Sequence, residues 1–283
     1  MAVEIRLFGG FQVLQDEAPV EPVNSRTARS LLGYLAVQAG RRHTRDLLIG
    51  QFWPEEPEEY GRKQLRQALY QLKRALRGSG SIGLDTGRDS IGLIPTPEVS
   101  IDVAEFERAL GQAAAATNAR QERAFLEVAL GFYRGGLLDG FYDDWIYPER
   151  DRLERQAAEA LDRAGDLARA DGDYQAALDL AYRRVQVTSP EESAHRRVIR
   201  TLALLGRHDE AIRHFETAER ILHDELGIEP SAATLDLLRA IESDAATPPA
   251  RSTTGIHDPP LIGREAERSR VGRLLDRAPI GLG

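Results

Sequence analysis

The sequence contains no cysteine, a single methionine and only two tryptophans in 283 residues. Without cysteine there is no disulfide framework, no thiol nucleophile and no cysteine-ligated zinc. No stretch approaches the run of about 18 apolar residues that a membrane helix needs, so no membrane partner is expected. The opening MAVEIRLFGG has no basic segment leading into an apolar one, so no secretory signal is expected and a cytoplasmic protein is the simplest reading. No GxxxxGK[ST] phosphate loop occurs anywhere. Neither catalytic residues, a cofactor nor a metal is expected. What remains is an ordinary globular composition, 42% hydrophobic and 29% charged, in a chain long enough for two domains and part of a third.

Charge is unevenly spread. The formal net charge is −8, yet residues 1–97 carry 13 Lys/Arg against 11 Asp/Glu, a balance of +2. Residues 98–247 carry 18 against 30, or −12, and residues 248–283 carry 6 against 4, or +2. A polyanion partner therefore has one candidate docking region, the first hundred residues, and the middle of the chain would repel it.

That first region reads as two short strands, 3–8 and 11–14, broken at Gly9-Gly10. A helix follows in NSRTARSLLGYLAVQAG, with Ser25 as N-cap and Gly40 at its end. A shorter second helix starts at Thr44, is expected to bury Leu47, Leu48, Ile49 and Phe52, and stops before Pro54. The third helix is YGRKQLRQALYQLKRALRG, residues 60–78, which holds six Lys or Arg and no acid. SIGL, DTGRD and SIGLIP then make a hairpin turning around Gly87. Strands, three helices and a closing hairpin are the parts of a winged helix-turn-helix. A small α+β domain with no nucleic-acid role has the same topology.

On a helical wheel Leu69, Leu72 and Leu76 fall within about 40° of Leu65, a narrow apolar stripe. Arg62, Arg66, Tyr70, Lys73 and Arg77 occupy the adjoining sector, with Lys63 and Arg74 beside them. Like charges at this spacing repel by a few tenths of a kcal/mol per pair, and a phosphate backbone would relieve that cost. A solvated surface is the ordinary alternative. The DNA reading places Arg62, Lys63, Arg66 and Gln67 near base edges, Lys73, Arg74 and Arg77 on phosphates, and Arg88 at the wing tip. Arg26, Arg29, Thr44 and Arg45, at helix starts, are further phosphate candidates. The acidic WPEEPEEY, with Glu55, Glu56, Glu58 and Glu59, would face away from DNA, either as solvated surface or as a site for a basic protein.

Beyond residue 98 the pattern is helical. GDYQAAL at 172–178 and GRHDEAI at 206–212 lie 34 residues apart, as do Ala160 and Ala194. This is the tetratricopeptide period, although a plain helical bundle remains open. Further helices are expected at 102–116 and 119–134. Residues 244–260, with four prolines, have linker composition. GSGSIG at 78–83 fits GxGxxG but follows a helix, the reverse of the dinucleotide fingerprint. His195, His208, His214 and His223 make no convincing metal set, and Tyr133, Phe141, Tyr142 and Trp145 read as core or repeat-groove aromatics rather than a ligand cage.

Taken together, IRLFGGFQV, SRTARSLLGYLA, LLIGQFWPEE, RKQLRQALYQLKRAL, SIDVAEFERAL, YRGGLLDGFYDDW, GDYQAAL, GRHDEAI and LHDELGIEPSAAT resemble the Streptomyces antibiotic regulatory protein (SARP) type of activator across residues 3–243. The resemblance implies a mainly α protein. Its parts would be an OmpR-like winged helix over 1–97, an all-α tetratricopeptide-type bacterial transcriptional activation domain over 98–243, and a linker over 244–260. It implies double-stranded DNA and RNA polymerase, through its sigma factor or alpha subunit, as partners, a homodimer on DNA, and polymerase contact by Glu55, Glu56, Glu58 and Glu59. LIGREAER resembles the start of a STAND/AAA ATPase domain, so residues 261–283 are read as the cut-short beginning of one. The competing function is a protein-interaction scaffold that never reads DNA.

Overall fold

Alternation of Val3, Ile5 and Leu7 with Glu4 and Arg6 gives the first segment one apolar face, the pattern of a half-buried strand. In the computed structural model, which describes residues 2–20, 23–76 and 83–246, this segment is β1 (Val3–Arg6). It pairs antiparallel with β2 (Gln12–Gln15), Ile5 opposite Val13, and β2 continues to the two-residue β3 (Ala18–Pro19). The other flank of β1 is covered by a strand from far along the chain, β7 (Val99–Ile101), which runs parallel to it. The four-stranded order is β3-β2-β1-β7.

Three helices follow, the third packing on the first two. α1 (Arg26–Val37) begins where the Ser25 hydroxyl accepts from the Ala28 amide at 3.2 Å. α2 (Arg45–Phe52) begins the same way, with Thr44 accepting from the Leu47 amide at 3.2 Å. α3 (Glu58–Ala75) carries the basic sequence. A second sheet holds β4 (Arg42–Thr44), β5 (Leu84–Thr86) and β6 (Ser90–Leu93) in the order β4-β6-β5, so the hairpin of the wing is tied to the strand leading into α2. This is a winged helix followed by helices, a mainly α fold. Leu47, expected inside, is 48% exposed. α2 is only two turns long and turns a single side, Leu48 and Ile49, inward. Strands β3, β4 and β7 have no counterpart in the sequence reading.

The rest is helical: α4 (Asp102–Ala114), α5 (Ala119–Phe132), α6 (Ile146–Ala170), α7 (Tyr174–Val187), α8 (Glu192–Leu204), α9 (His208–Ile221), a π-helical turn over Leu222–Leu226, and α10 (Ala232–Ala246). From α4 to α9 each helix packs on the next. The 34-residue offset has a backbone counterpart: Gly172 and Gly206 both take left-handed φ, 78° and 71°, at the ends of α6 and α8. A side chain is strained there, which is why glycine closes helices at this position. Ala160 and Ala194 are both buried.

By contacts the chain divides into Met1–Asp244 and Ala245–Gly283. The linker from 247 on and the ATPase-like start at 261–283 lie outside the described residues. Within the first unit one core runs across residue 97, joining Ile5, Leu31 and Leu65 to Phe106, Ile146 and Ala157. Its polar pin is Asp102, fully buried at the start of α4. Its carboxylate accepts from the amides of Leu7 (2.9 Å), Phe8 (3.0 Å) and Val103 (2.8 Å), with Arg134 Nη1 at 3.7 Å. Loss of water outweighs these donors and pushes the carboxyl up to about 6. The segment between α5 and α6 adds a second tie. Leu138 donates its amide to Leu7 O at 2.7 Å, and its Cδ1 would lie 2.8 Å from a Cβ placed on Gly33. Arg150 holds this segment through the carbonyls of Leu137 and Leu138. Of the aromatics read as core or groove residues, Phe141 and Trp145 are buried whereas Tyr142 is 67% exposed.

Candidate nucleic-acid interface

The leucine stripe of α3 lies where its spacing places it. Leu65, Leu69 and Leu72, with Leu76 just beyond, are buried against the body of the fold. That fixes the rotation of the helix and leaves Arg62, Lys63, Arg66, Gln67, Tyr70, Lys73 and Arg74 all exposed. Tyr70, 61% exposed, is the one large apolar side chain on that face. Lys73 and Arg74 also sit in the last helical turn, where positive charge is favourable against the helix dipole. Arg77 lies outside the described residues.

The first half of α3, the start of α2 and the wing converge on one groove. Its volume is about 470 Å³ and its lining includes Thr44, Arg45, Arg62, Arg66 and Arg88, over a floor of Ile49 and Leu65. Four arginines from three elements thus line one concavity. Asp46 and Asp89, which no sequence motif singled out, line it too. Arg62 is paired with Glu58 one turn earlier, both groups solvent-exposed, so the pair is weak and a phosphate can displace it. Glu55 and Glu56, before α3, and Glu58 and Glu59, in its first turn, are all exposed, as are Tyr60 of α3 and Leu47 of α2.

Two of the proposed phosphate contacts lie elsewhere. Arg26 sits over the rings of Phe141 (6.0 Å) and Tyr142 (5.7 Å), and Arg29 over Phe141 (5.6 Å). Arg29 also lines a separate apolar hollow with Phe11, Val13 and Leu76. Neither lines the groove of α3 and the wing. Of the histidines, His195 Nδ1 and His214 Nε2 are 3.2 Å apart, and burial with the neighbouring ring pushes His214 down to about 4. Among the described residues no three His, Asp or Glu side chains converge as a metal site, and no helix is long and apolar enough to cross a membrane.

The angle between α2 and α3 depends on Gly61. A Cβ there would stand 2.5 Å from Cγ2 of Ile49, a stiff β-branched side chain. Gly61→Ala is therefore expected to cost about 1–3 kcal/mol by overpacking, despite the better helix propensity of alanine. Urea unfolding of the full chain measures it; an unchanged or raised midpoint would show that the two helices separate freely.

The model of one family, described as the bacterial transcriptional activator domain, matches residues 101–242. The regulatory proteins AfsR of Streptomyces griseus and of Streptomyces coelicolor are 24% identical over 243 residues and 27% identical over 225. The matches cover 84% and 77% of this chain but 24% and 22% of those proteins, so the chain spans about a quarter of the length of these relatives. Among solved structures, Mycobacterium tuberculosis EmbR in complex with a low affinity phosphopeptide superposes with a TM-score of 0.65 at 24% identity. That match covers 86% of this chain and 65% of that one, and it establishes a shared fold.

Proposed function

We propose, for a chain that belongs to the bacterial transcriptional activator domain family, that its winged helix reads double-stranded DNA and that its exposed acidic loop engages RNA polymerase. One observation carries the DNA half: the leucines of α3 are buried while every basic residue described on that helix is exposed, and Arg62 and Arg66 share a groove with Arg45 of α2 and Arg88 of the wing. An α-helix fits the major groove, and Arg with Gln recognises guanine and adenine edges. The −12 balance of residues 98–247 makes the remainder a poor polyanion surface, so contact is confined to the first region.

The test is selection of duplexes from a random pool by the full chain, followed by affinity measurements across salt concentrations. The expected result is an enriched sequence and an affinity falling with a log–log slope near −0.9 per phosphate contacted. Failure to enrich any sequence, with no salt-dependent binding, would leave the chain as a protein-interaction scaffold.

For the polymerase half, Glu55 and Glu56 with Glu58 and Glu59 at the start of α3 make a solvated acidic surface, suited to a basic partner. A Glu55→Lys/Glu59→Lys double variant should bind the selected duplex at least as tightly as the parent while transcription from it, reconstituted with polymerase, drops about tenfold. Equal transcription by both would remove the loop from activation. Two copies on repeated half-sites complete the proposal, and the stoichiometry of the complex on the selected duplex tests it.

A further inference from the structure

The residue that opens α2, Arg45, does something in this fold that its sequence position does not suggest. Its guanidinium turns toward the wing. Nε donates to the Arg88 carbonyl at 2.8 Å and Nη2 to the Gly87 carbonyl at 3.1 Å. Its own amide donates to the Asp89 carbonyl at 3.2 Å. All three residues of the wing turn are therefore held from one position, and Arg42 adds an ion pair to Asp85 on β5. The side chain of Arg88, meanwhile, lines the groove that Arg62 and Arg66 line from α3.

We propose that Arg45 is the positioning residue of the wing: its planar fork, spanning two successive carbonyls, fixes the turn so that Arg88 meets the same stretch of duplex as α3. This deepens the DNA reading and rests on it. It also reassigns Arg45, whose charge alone would make it one more phosphate contact. The two roles differ in geometry. A phosphate contact needs a positive charge, which lysine supplies nearly as well. A fork across two carbonyls needs two N–H donors at fixed separation in one plane, and the compact ammonium of lysine cannot reproduce it. A hairpin turn of three residues has little of its own to hold it, so loss of those bonds lets Arg88 wander.

The experiment is a double-mutant cycle on the selected duplex, with full-length Arg45→Lys, Arg88→Ala and the combination, each compared with the parent across salt. Arg45→Lys should weaken binding about tenfold and flatten the salt slope by nearly one phosphate contact, although the protein's charge is unchanged. In the Arg45→Lys background Arg88→Ala should have almost no further effect, because its contact is already lost. Faster amide exchange at residues 87–89 in Arg45→Lys, without DNA, is the accompanying signature. Parent-like affinity and slope for Arg45→Lys would overturn the assignment, as would independent, multiplying effects of the two changes. Arg66→Ala separates this from failure of the DNA reading. If Arg66→Ala weakens binding and Arg45→Lys does not, the positioning role alone falls; if neither does, the interface itself is misplaced.

Discussion

Asp102→Ala is expected to lower the unfolding free energy of the full chain by about 4 kcal/mol. The substitution strips acceptors from the amides of Leu7 and Phe8, both buried, and from that of Val103. Each buried donor left without a partner costs about 1–3 kcal/mol. The loss depends on pH with a definite sign. In the folded chain the carboxyl is pushed up to about 6 from its ordinary 3.8. Between those values the native state binds a proton that the unfolded chain releases. The residue's contribution is thus greatest in acid and declines as pH rises through the folded value. The cost of Asp102→Ala should accordingly be about 1 kcal/mol larger near pH 5 than near pH 7.5. Denaturant titrations of both proteins at the two pH values measure it. Equal costs would mean that the amide donors win over burial and keep the group ionised throughout.

The largest functional effects are expected on α3. Arg66 lies in the half that shares the groove with the wing, whereas Lys73 lies two turns further along, outside it. Arg66→Ala should weaken the selected duplex by about 1–3 kcal/mol and leave random duplex nearly unaffected, so that discrimination falls by roughly that amount. Lys73→Ala should weaken both alike and reduce the salt slope by about one. Reversing both charges, Arg66→Glu with Lys73→Glu, replaces two attractions with repulsions and should abolish measurable binding at physiological salt. Fluorescence anisotropy with the two duplexes resolves these outcomes. Alanine at Arg66 that costs the same on every sequence would make it another backbone contact and move base readout elsewhere on the helix.

What could be read in advance, and what could not, divides along the distance between partners. The rotation of α3 was legible because Leu65, Leu69, Leu72 and Leu76 recur at helical spacing, and such periodicity already specifies which side is buried. The caps Ser25 and Thr44 were legible because each bonds an amide three residues away. Strands β4 and β7, three residues each, carry no periodicity of their own. They exist because Arg42–Thr44 and Val99–Ile101 meet β6 and β1 in the folded chain. The importance of Asp102 depends on amides 94 and 95 residues earlier. Arg45 was recognisable as a cation near the interface, but not as the clasp of the wing, whose carbonyls lie 42 and 43 positions on. Arg26 and Arg29 were legible as cations at a helix start, but not their approach to Phe141, which lies far along the chain.

The strand lying parallel to β1 has a practical consequence for anyone who wishes to dissect the protein. Cutting the chain after residue 97 would not release a tidy reading head. It would strip β1 of the neighbour supplied by Val99–Ile101, expose the amides that Asp102 now satisfies, and wet the side of α1 where Trp145 donates to Ser30 at 3.3 Å. A bare strand border beside uncovered leucines is sticky, and such a fragment would tend to glue itself to its own copies. Dissection should instead keep residues 2–244 together and vary single side chains.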